Sequence, residues 1–545
     1  MISTFLPTST FVLVSILAAA PKTGPIFPIS DTPDSIEGSF FRSDTPTASD
    51  TPAASDTDGE GGNQMLQKAD VAPGTGTVQA AEEISDMVIV ARNYALMDTV
   101  IATLRVPNAP ESSPLPKNDK PVFTPGVQTW TRGQGRFNKD FGYNEHSQNV
   151  GKILLRTRLQ ARVTWGPVQA IAQVQDSRVW GFESSTAAAE ANTDLHQGYM
   201  QLGGSKGKKL SGWIRLGRQE ISYGNQRLIG SLGWLPAARS FDALRMHGEY
   251  NKFSVDVFGA LLMPMGVVTR EIPNPADPTT SITESARSIG TELVGGTATG
   301  NFHKALSVEL IALGQREGGK NGNVHFDRRI GNVGARLFGN PVAGLRYDIE
   351  FNYQWGKNNH REHSAWAGAA TVGYVYGKKD WRPGGHVTYA IASGDDCVFS
   401  AGNNEHCKSQ EFYNFYPTNH MHYGLVDLIG WRNVRDLELG AELSFNNVLK
   451  IKADYHFLQL HESEGRWSNA GGKTVGNEIE GNKKSNLGHE FNVVFVAKPW
   501  KSLMIQPGYG VFIADDVAKK MIAPEGSGDV LKPQHFAYLW FVATF

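Results

Sequence analysis

Residues 151–165 read GKILLRTRLQARVTW, and this stretch decides the fold. Lys152, Arg156, Arg158, Gln160, Arg162 and Thr164, joined by Leu154, share one face. Ile153, Leu155, Leu159, Ala161, Val163 and Trp165 share the other. A period of two belongs to a β-strand, whose successive side chains point to opposite sides. Gly166-Pro167 then turns the chain into a second strand.

The scheme repeats downstream. Arg346, Asp348, Glu350, Asn352 and Gln354 alternate with Tyr347, Ile349, Phe351, Tyr353 and Trp355. Asp436, Glu438, Glu442, Ser444 and Asn446 alternate with Leu437, Leu439, Ala441, Leu443 and Phe445. From Gln128 to Phe545, segments of about 10–14 residues are separated by Gly, Pro or Asn turns, and about 18 can be counted.

Two architectures accept so many strands. A soluble sandwich or propeller buries the apolar face and wets the polar one. An outer-membrane barrel turns the apolar face to lipid and the polar face to a water-filled lumen. Length separates them, because tilted membrane strands need about 9–11 residues and ordinary globular strands about 5–6. Trp165, Trp180, Tyr353, Trp355, Tyr374, Tyr376, Trp381 and Trp500 fall near strand ends, as interfacial aromatic girdles do. The stretch His535 to Phe545, HFAYLWFVATF, puts Leu539, Phe541, Ala543 and Phe545 on one face. It looks like the final-strand signal read by the barrel-assembly machinery of bacterial outer membranes. The expected fold is therefore all-β: a transmembrane antiparallel β-barrel of about 18 strands, of the bacterial outer-membrane type.

Orientation follows from magnitudes. An Arg facing lipid near the midplane costs about 2–4 kcal/mol, so three on one strand would cost about 6–12, comparable to a whole domain's stability. Arg156, Arg158 and Arg162 are thus expected to face the lumen.

The remaining composition sets bounds. A formal net charge of -2 argues against a nucleic-acid binder. No apolar run long enough for a helical span follows the N-terminus. Residues 1–20 carry an apolar core followed by Ala18-Ala19-Ala20 and read as a signal peptide, although the usual basic residues before that core are absent. Residues 21–83 repeat Ser-Asp-Thr-Pro and read as a disordered linker. Residues 84–127 form a lead-in segment of unassigned role, and the barrel is expected over 128–545. Cys397 and Cys407, the only two cysteines, offer one loop staple.

Inside the barrel region, Trp213 to Arg245 carries Arg215, Arg218, Arg227, Arg239 and Arg245 as strand, loop and strand. Within it stand Gly217-Arg218-Gln219-Glu220, Tyr223-Gly224, Gln226-Arg227-Leu228-Ile229-Gly230, Trp234 and Arg239-Ser240-Phe241-Asp242. A second block holds Phe415-Tyr416-Pro417-Thr418-Asn419-His420, Tyr423-Gly424, Asp427 and Gly430-Trp431-Arg432-Asn433. Together these resemble the alginate export family of outer-membrane porins. The resemblance implies an 18-stranded barrel whose arginine-lined lumen passes an anionic polyuronate, with Arg218, Arg227, Arg239 and Asp242 in a charged constriction. Arg156, Arg158, Arg162, Arg215, Arg346, Asp348 and Glu350 are added to the candidate pore lining from strand periodicity.

Guanidinium groups bind carboxylates in a planar fork and stay charged. A ladder of them can hand a polyuronate along, each contact weak enough to release. The acidic faces at Asp348, Glu350, Glu438 and Glu442 limit over-tight binding and order the arginines. Barrel interiors also hold Arg–Glu ladders that only brace the wall, and a structural partner for an arginine is the plainer role for Asp242. The segment from Asp395-Asp396-Cys397 to His406-Cys407 reads as a disulfide-closed loop rather than a metal loop. His420 and His422 lack a further ligand at zinc spacing. The glycines from Gly290 to Gly300 read as strand glycines. No cofactor is implied. The expected partners are an anionic polysaccharide, outer-membrane lipid, the assembly machinery and periplasmic secretion proteins. An uptake porin for small anionic or sugar nutrients is the alternative, since the same lumen would serve it. A barrel enzyme would need a nucleophile elbow that the chain lacks.

Overall fold

The computed structural model describes residues 120–545 apart from 140, 143–148, 181–192, 207–209, 264–265, 275–276, 322–323, 360, 378–379, 397–406 and 524–530. The expected signal peptide, the linker and all but the last residues of the lead-in segment lie outside the described residues, as does Cys397.

Eighteen antiparallel strands close into a barrel. The first are β1 (Val122–Phe137), β2 (Val150–Trp165), β3 (Val168–Trp180) and β4 (Asp194–Lys206). Next come β5 (Leu210–Gln219), β6 (Phe241–Tyr250) and β7 (Phe253–Met263). A short β8 (Gly266–Asn274) pairs only with the first part of β9 (Asp277–His303), whose later part lies beside β7 in the wall. The wall continues through β10 (Leu306–Asn321), β11 (Val324–Gly339), β12 (Leu345–Asn358), β13 (Arg361–Val375) and β14 (Trp381–Ala392). It then takes β15 (Val434–Phe445) and β16 (Leu449–Gln459). A small hairpin, β17 (Trp467–Ser468) with β18 (Thr474–Gly476), precedes β19 (Asn486–Trp500) and β20 (Leu503–Ala514). Helix α1 (Asp516–Ile522) then leads toward β21 (Gln534–Thr544).

β1 pairs with both β2 and β21, which closes the wall. Val127 and Phe545 exchange backbone hydrogen bonds of 3.0 and 2.8 Å at this seam. The strand at Val122 begins ahead of the expected boundary at Gln128. Thr124-Pro125-Gly126 breaks the alternation and reads as a turn, yet the ladder with β21 reaches only to Gln128, so Pro125 has an open edge on that side.

Tight turns such as 166–167, 251–252 and 501–502 join strands at one end, and long connections such as 220–240 and 393–433 join them at the other. In this architecture the long connections mark the extracellular side. The wall alternates as the sequence requires. Leu159 is 56% exposed and Trp165 60%, whereas Arg156, Arg158 and Arg162 are 1%, 6% and 7% exposed. All eight girdle aromatics stand on the outer surface. The glycines from Gly290 to Gly300 lie in β9.

Candidate functional site

The connection 220–240 and the described residues 407–433 of the second one turn inward, and Ile221, Leu228, Ile229, Phe412 and Trp431 are buried there. They carry the two sequence blocks, and the fold brings those blocks together. Ile229 and Tyr416 form a parallel bridge. The Gly230 N–H donates to the Tyr416 carbonyl at 2.9 Å, Tyr416 N–H to Leu228 at 2.8 Å, and Thr418 N–H to Gln226 at 2.9 Å. Gly230 is required here, because a Cβ would fall 2.4 Å from both Gln226 Oε1 and Thr418 Oγ1. At Gly424, with φ +87°, a Cβ would lie 2.2 Å from Glu490 Oε1, a carboxylate that accepts from the Val426 N–H at 3.0 Å.

Arg239 clamps the junction. Its Nη1 donates to the carbonyls of Gly230 at 3.0 Å, Pro417 at 3.1 Å and Tyr416. Burial lowers its pKa to about 10, with Tyr416 acting the other way, so it remains charged at neutral pH. Arg227 is buried against Tyr423 and Trp431, donating to Tyr423 Oη at 2.7 Å. Burial pushes its pKa down, but Tyr423, Glu350, Asp348 and Glu438 together leave it raised. Its Nε stands 4.0 Å from Glu350 Oε2, and neither atom has a hydrogen-bond partner. His422 donates through Nε2 to the Asn225 carbonyl at 2.7 Å, and burial followed by Arg227 holds it well below the ordinary imidazole range.

A second cluster lies beside the junction. Trp234 stacks on His420 with ring centroids 3.9 Å apart, and the Arg132 guanidinium covers the Trp234 ring at 3.5 Å. His420 Nδ1 meets Asp427 Oδ1 at 2.6 Å, and Arg136 reaches the same carboxylate at 3.2 Å. Burial raises the Asp427 pKa, yet His420, Arg136 and Arg132 outweigh it and leave the carboxyl below its usual range.

A cavity of about 870 Å³ opens between these connections and the wall. Arg136, Lys139, Arg239 and Arg432 line it, and Asp427 is the single carboxylate among its lining residues. Arg432 also lies 3.9 Å from Glu411, which is not among the lining residues. Four cations still outnumber these two carboxylates, and focusing by low-dielectric walls makes such a balance attract anions.

The expected pore-lining residues divide by partner. Arg158 is bonded to Glu220 at 3.2 Å. Arg346 lies 3.5 Å from Glu442. Asp348 is taken by Arg336 at 2.5 Å and by Asn225 at 2.9 Å. Arg215 donates to Gln201 at 2.7 Å between the rings of Tyr199 and Trp213. Arg156 donates to Gln128 at 3.3 Å and to the carbonyls of Gly233 and Leu235 at 3.3 and 3.4 Å. Arg132 donates to the Trp234 carbonyl at 2.9 Å. Carbonyls, an amide oxygen and aromatic rings are the direct partners of these last two, and carbonyls those of Arg239; Asp427 acts on Arg132 and Glu220 on Arg156 only at longer range.

Arg218 and Asp242 correct the expectation of a shared constriction. They pair across β5 and β6 at 3.1 Å on the outer face, in line with the lipid-facing Leu216 and Leu244, and Arg218 also meets Asp194 at 3.3 Å. The period of two explains it: Arg215, Gly217 and Gln219 take the inward positions of β5, which leaves Arg218 outside. Asp242 thus has the structural role of an arginine partner. Cys407 is held in a disulfide.

Sequence reading missed Arg132, Arg136, Lys139, Arg336 and Arg432 as site residues. For β1 the signal was present, since Gln128, Trp130, Arg132, Gln134 and Arg136 alternate with smaller residues.

A family model described as alginate export matches residues 123–522. The chain belongs to the alginate export family. Membership and the closed barrel make this member of the family a transport channel of the bacterial outer membrane. No curated protein matches its sequence. Among solved structures, the outer membrane protein OprD from Pseudomonas aeruginosa is 11% identical with a TM-score of 0.47, over 81% of this chain and 97% of that one. OpdO from Pseudomonas aeruginosa is 10% identical with a TM-score of 0.47, over 78% and 97%. OccAB2 from Acinetobacter baumannii is 10% identical with a TM-score of 0.45, over 77% and 98%.

Proposed function

We propose that this channel passes an anionic polysaccharide, an alginate-like polyuronate, by passive diffusion through an arginine-lined lumen. The observation that carries the reading is the cavity where Arg136, Lys139, Arg239 and Arg432 face one carboxylate. A polyuronate carries a carboxylate on every sugar, so it can exchange one guanidinium for the next without leaving the lumen. Arg239 belongs to this surface, held by carbonyls rather than by a carboxylate, while the buried Arg132 and Arg156 add positive potential from behind it. The Arg158, Arg227 and Arg346 pairs, with Asp348 and Glu350, moderate the attraction, because a conduction site must also release. Arg218 and Asp242 take no part. Flux follows the concentration gradient, and β21 is the segment the assembly machinery would engage.

The test is block of single-channel current by an oligouronate in planar bilayers. Block by the uronate but not by a neutral oligosaccharide of equal length is expected. It should weaken at least tenfold in Arg136→Gln/Arg432→Gln. Equal block by both sugars would favour a general nutrient porin on the same barrel.

A further inference from the structure

Three neighbouring strands of the wall bring together a set of ligands that the transport reading does not use. His386 on β14, Glu438 on β15 and Asp454 on β16 each offer one ligand atom, and these atoms lie within 4.8 Å of one another. Sheet register sets the arrangement. His386 stands opposite Gly440, and Gly440 opposite Asp454, while Glu438 precedes Gly440 by two residues on the same face. Gly440 leaves the space that the imidazole occupies, since a Cβ there would meet His386 Cε1 at 1.9 Å. The ring therefore lies flat across β15 toward the two carboxylates, with Nε2 2.9 Å from Glu438 Oε1.

One oxygen of the set, Asp454 Oδ1, is buried without any hydrogen-bond partner; His386 Nδ1, the ring nitrogen other than the one that meets Glu438, is also unpartnered but would not face the same ion. The His386 side chain is only 10% exposed. A buried polar atom with no partner is costly and calls for an occupant. The neighbouring cation, Lys452, approaches only the other oxygen, at 3.9 Å from Asp454 Oδ2. His456, the next histidine on β16, is committed to Asp436 at 3.0 Å. A cavity of about 50 Å³ adjoins Glu438 and Asp454, enough for a water.

We propose that His386, Glu438 and Asp454 bind a divalent transition metal of the Zn²⁺ type on the inner wall. One imidazole nitrogen and two carboxylate oxygens suit zinc, which takes such ligands at about 2.0–2.2 Å and leaves a fourth position for water. Small rotations of the two carboxylates close the set onto an ion of that size. The neighbouring cavity holds the water. An ion here would staple β14, β15 and β16 across a face that also carries Asp436 and Glu442. The proposal does not depend on which polymer crosses the barrel.

The experiment titrates the refolded barrel in detergent with Zn²⁺ by calorimetry and with Co²⁺ by visible absorption. One Zn²⁺ per chain and the intense bands of four-coordinate Co²⁺ are expected. Affinity should fall by about 100-fold, the upper end for disturbing a metal's surroundings, in His386→Gln and in Asp454→Asn. His303→Gln, at the end of β9 and away from the set, should bind as the wild type does. Should either set variant fail to fold, the Co²⁺ spectrum of the wild type decides alone. Absence of saturable binding, six-coordinate Co²⁺ bands, preference for Ca²⁺, or equal affinity in the variants would each overturn the assignment.

Discussion

Removing Arg239 should release the two inward connections from each other without opening the barrel wall. In Arg239→Ala the carbonyls of Gly230 and Pro417 lose a charged donor, while the Tyr416 carbonyl keeps the Gly230 N–H. A hydrogen bond to a charged group contributes about 1.5–3 kcal/mol, so losing two weakens the junction by about 3–6 kcal/mol. Every 1.4 kcal/mol is tenfold, so local opening should become at least about 100-fold more frequent. The assay is amide hydrogen exchange of the folded barrel, read at Gly230, Tyr416 and Thr418, whose N–H groups join the two segments. Amides of β1 and β21 at the seam serve as the internal control and should not change. Arg239→Lys should fall between, because an ammonium keeps the charge but ends short of the position of Nη1, the one atom that reaches the carbonyls. Protection at the three amides within threefold of the wild type would refute the clamp.

The other predictions probe the wall and the acid response. Arg336→Met strands the buried Asp348 carboxylate and should cost about 3–5 kcal/mol in denaturant unfolding; Arg336→Met/Asp348→Leu should recover most of that loss, and a double variant as unstable as the single would contradict the pairing. Leu159→Arg places a cation on the lipid face at mid-strand and should cost about 2–4 kcal/mol in vesicle folding titrations, with a neutral result speaking against the assigned outer face. His422 is held below its unfolded pKa, so protons favour the unfolded chain: its contribution is intact above about pH 6.5 and falls by about 1.4 kcal/mol per pH unit below that. The difference in stability between wild type and His422→Gln should therefore change from pH 7 to pH 5, and parallel curves would remove His422 as the cause.

The wall was legible because it obeys a local rule. A period of two assigns Leu159 to lipid and Arg158 to the interior without any long-range information, and about 18 such segments leave few alternatives. The same rule, applied residue by residue from Arg215, would have put Arg218 outside. The family resemblance placed it in the constriction instead, and β5 decided for periodicity. Pairing between distant segments was not legible. Nothing local joins Arg239 to Pro417, Arg136 to Asp427 or His386 to Asp454, since barrel register and two inward connections create those contacts. The two sequence blocks hinted at it, because their glycines sit where Gly230 and Gly424 let other chain segments approach.

The most direct test of the central claim is the reversal potential of a single channel in a potassium chloride gradient. With Arg136, Lys139, Arg239 and Arg432 facing one carboxylate, chloride should carry most of the current, so the potential should take the sign of anion selectivity and move toward zero in Arg136→Gln/Arg432→Gln. A potential of cation-selective sign, or one near zero that the two substitutions leave in place, would contradict an interior built to pass anions.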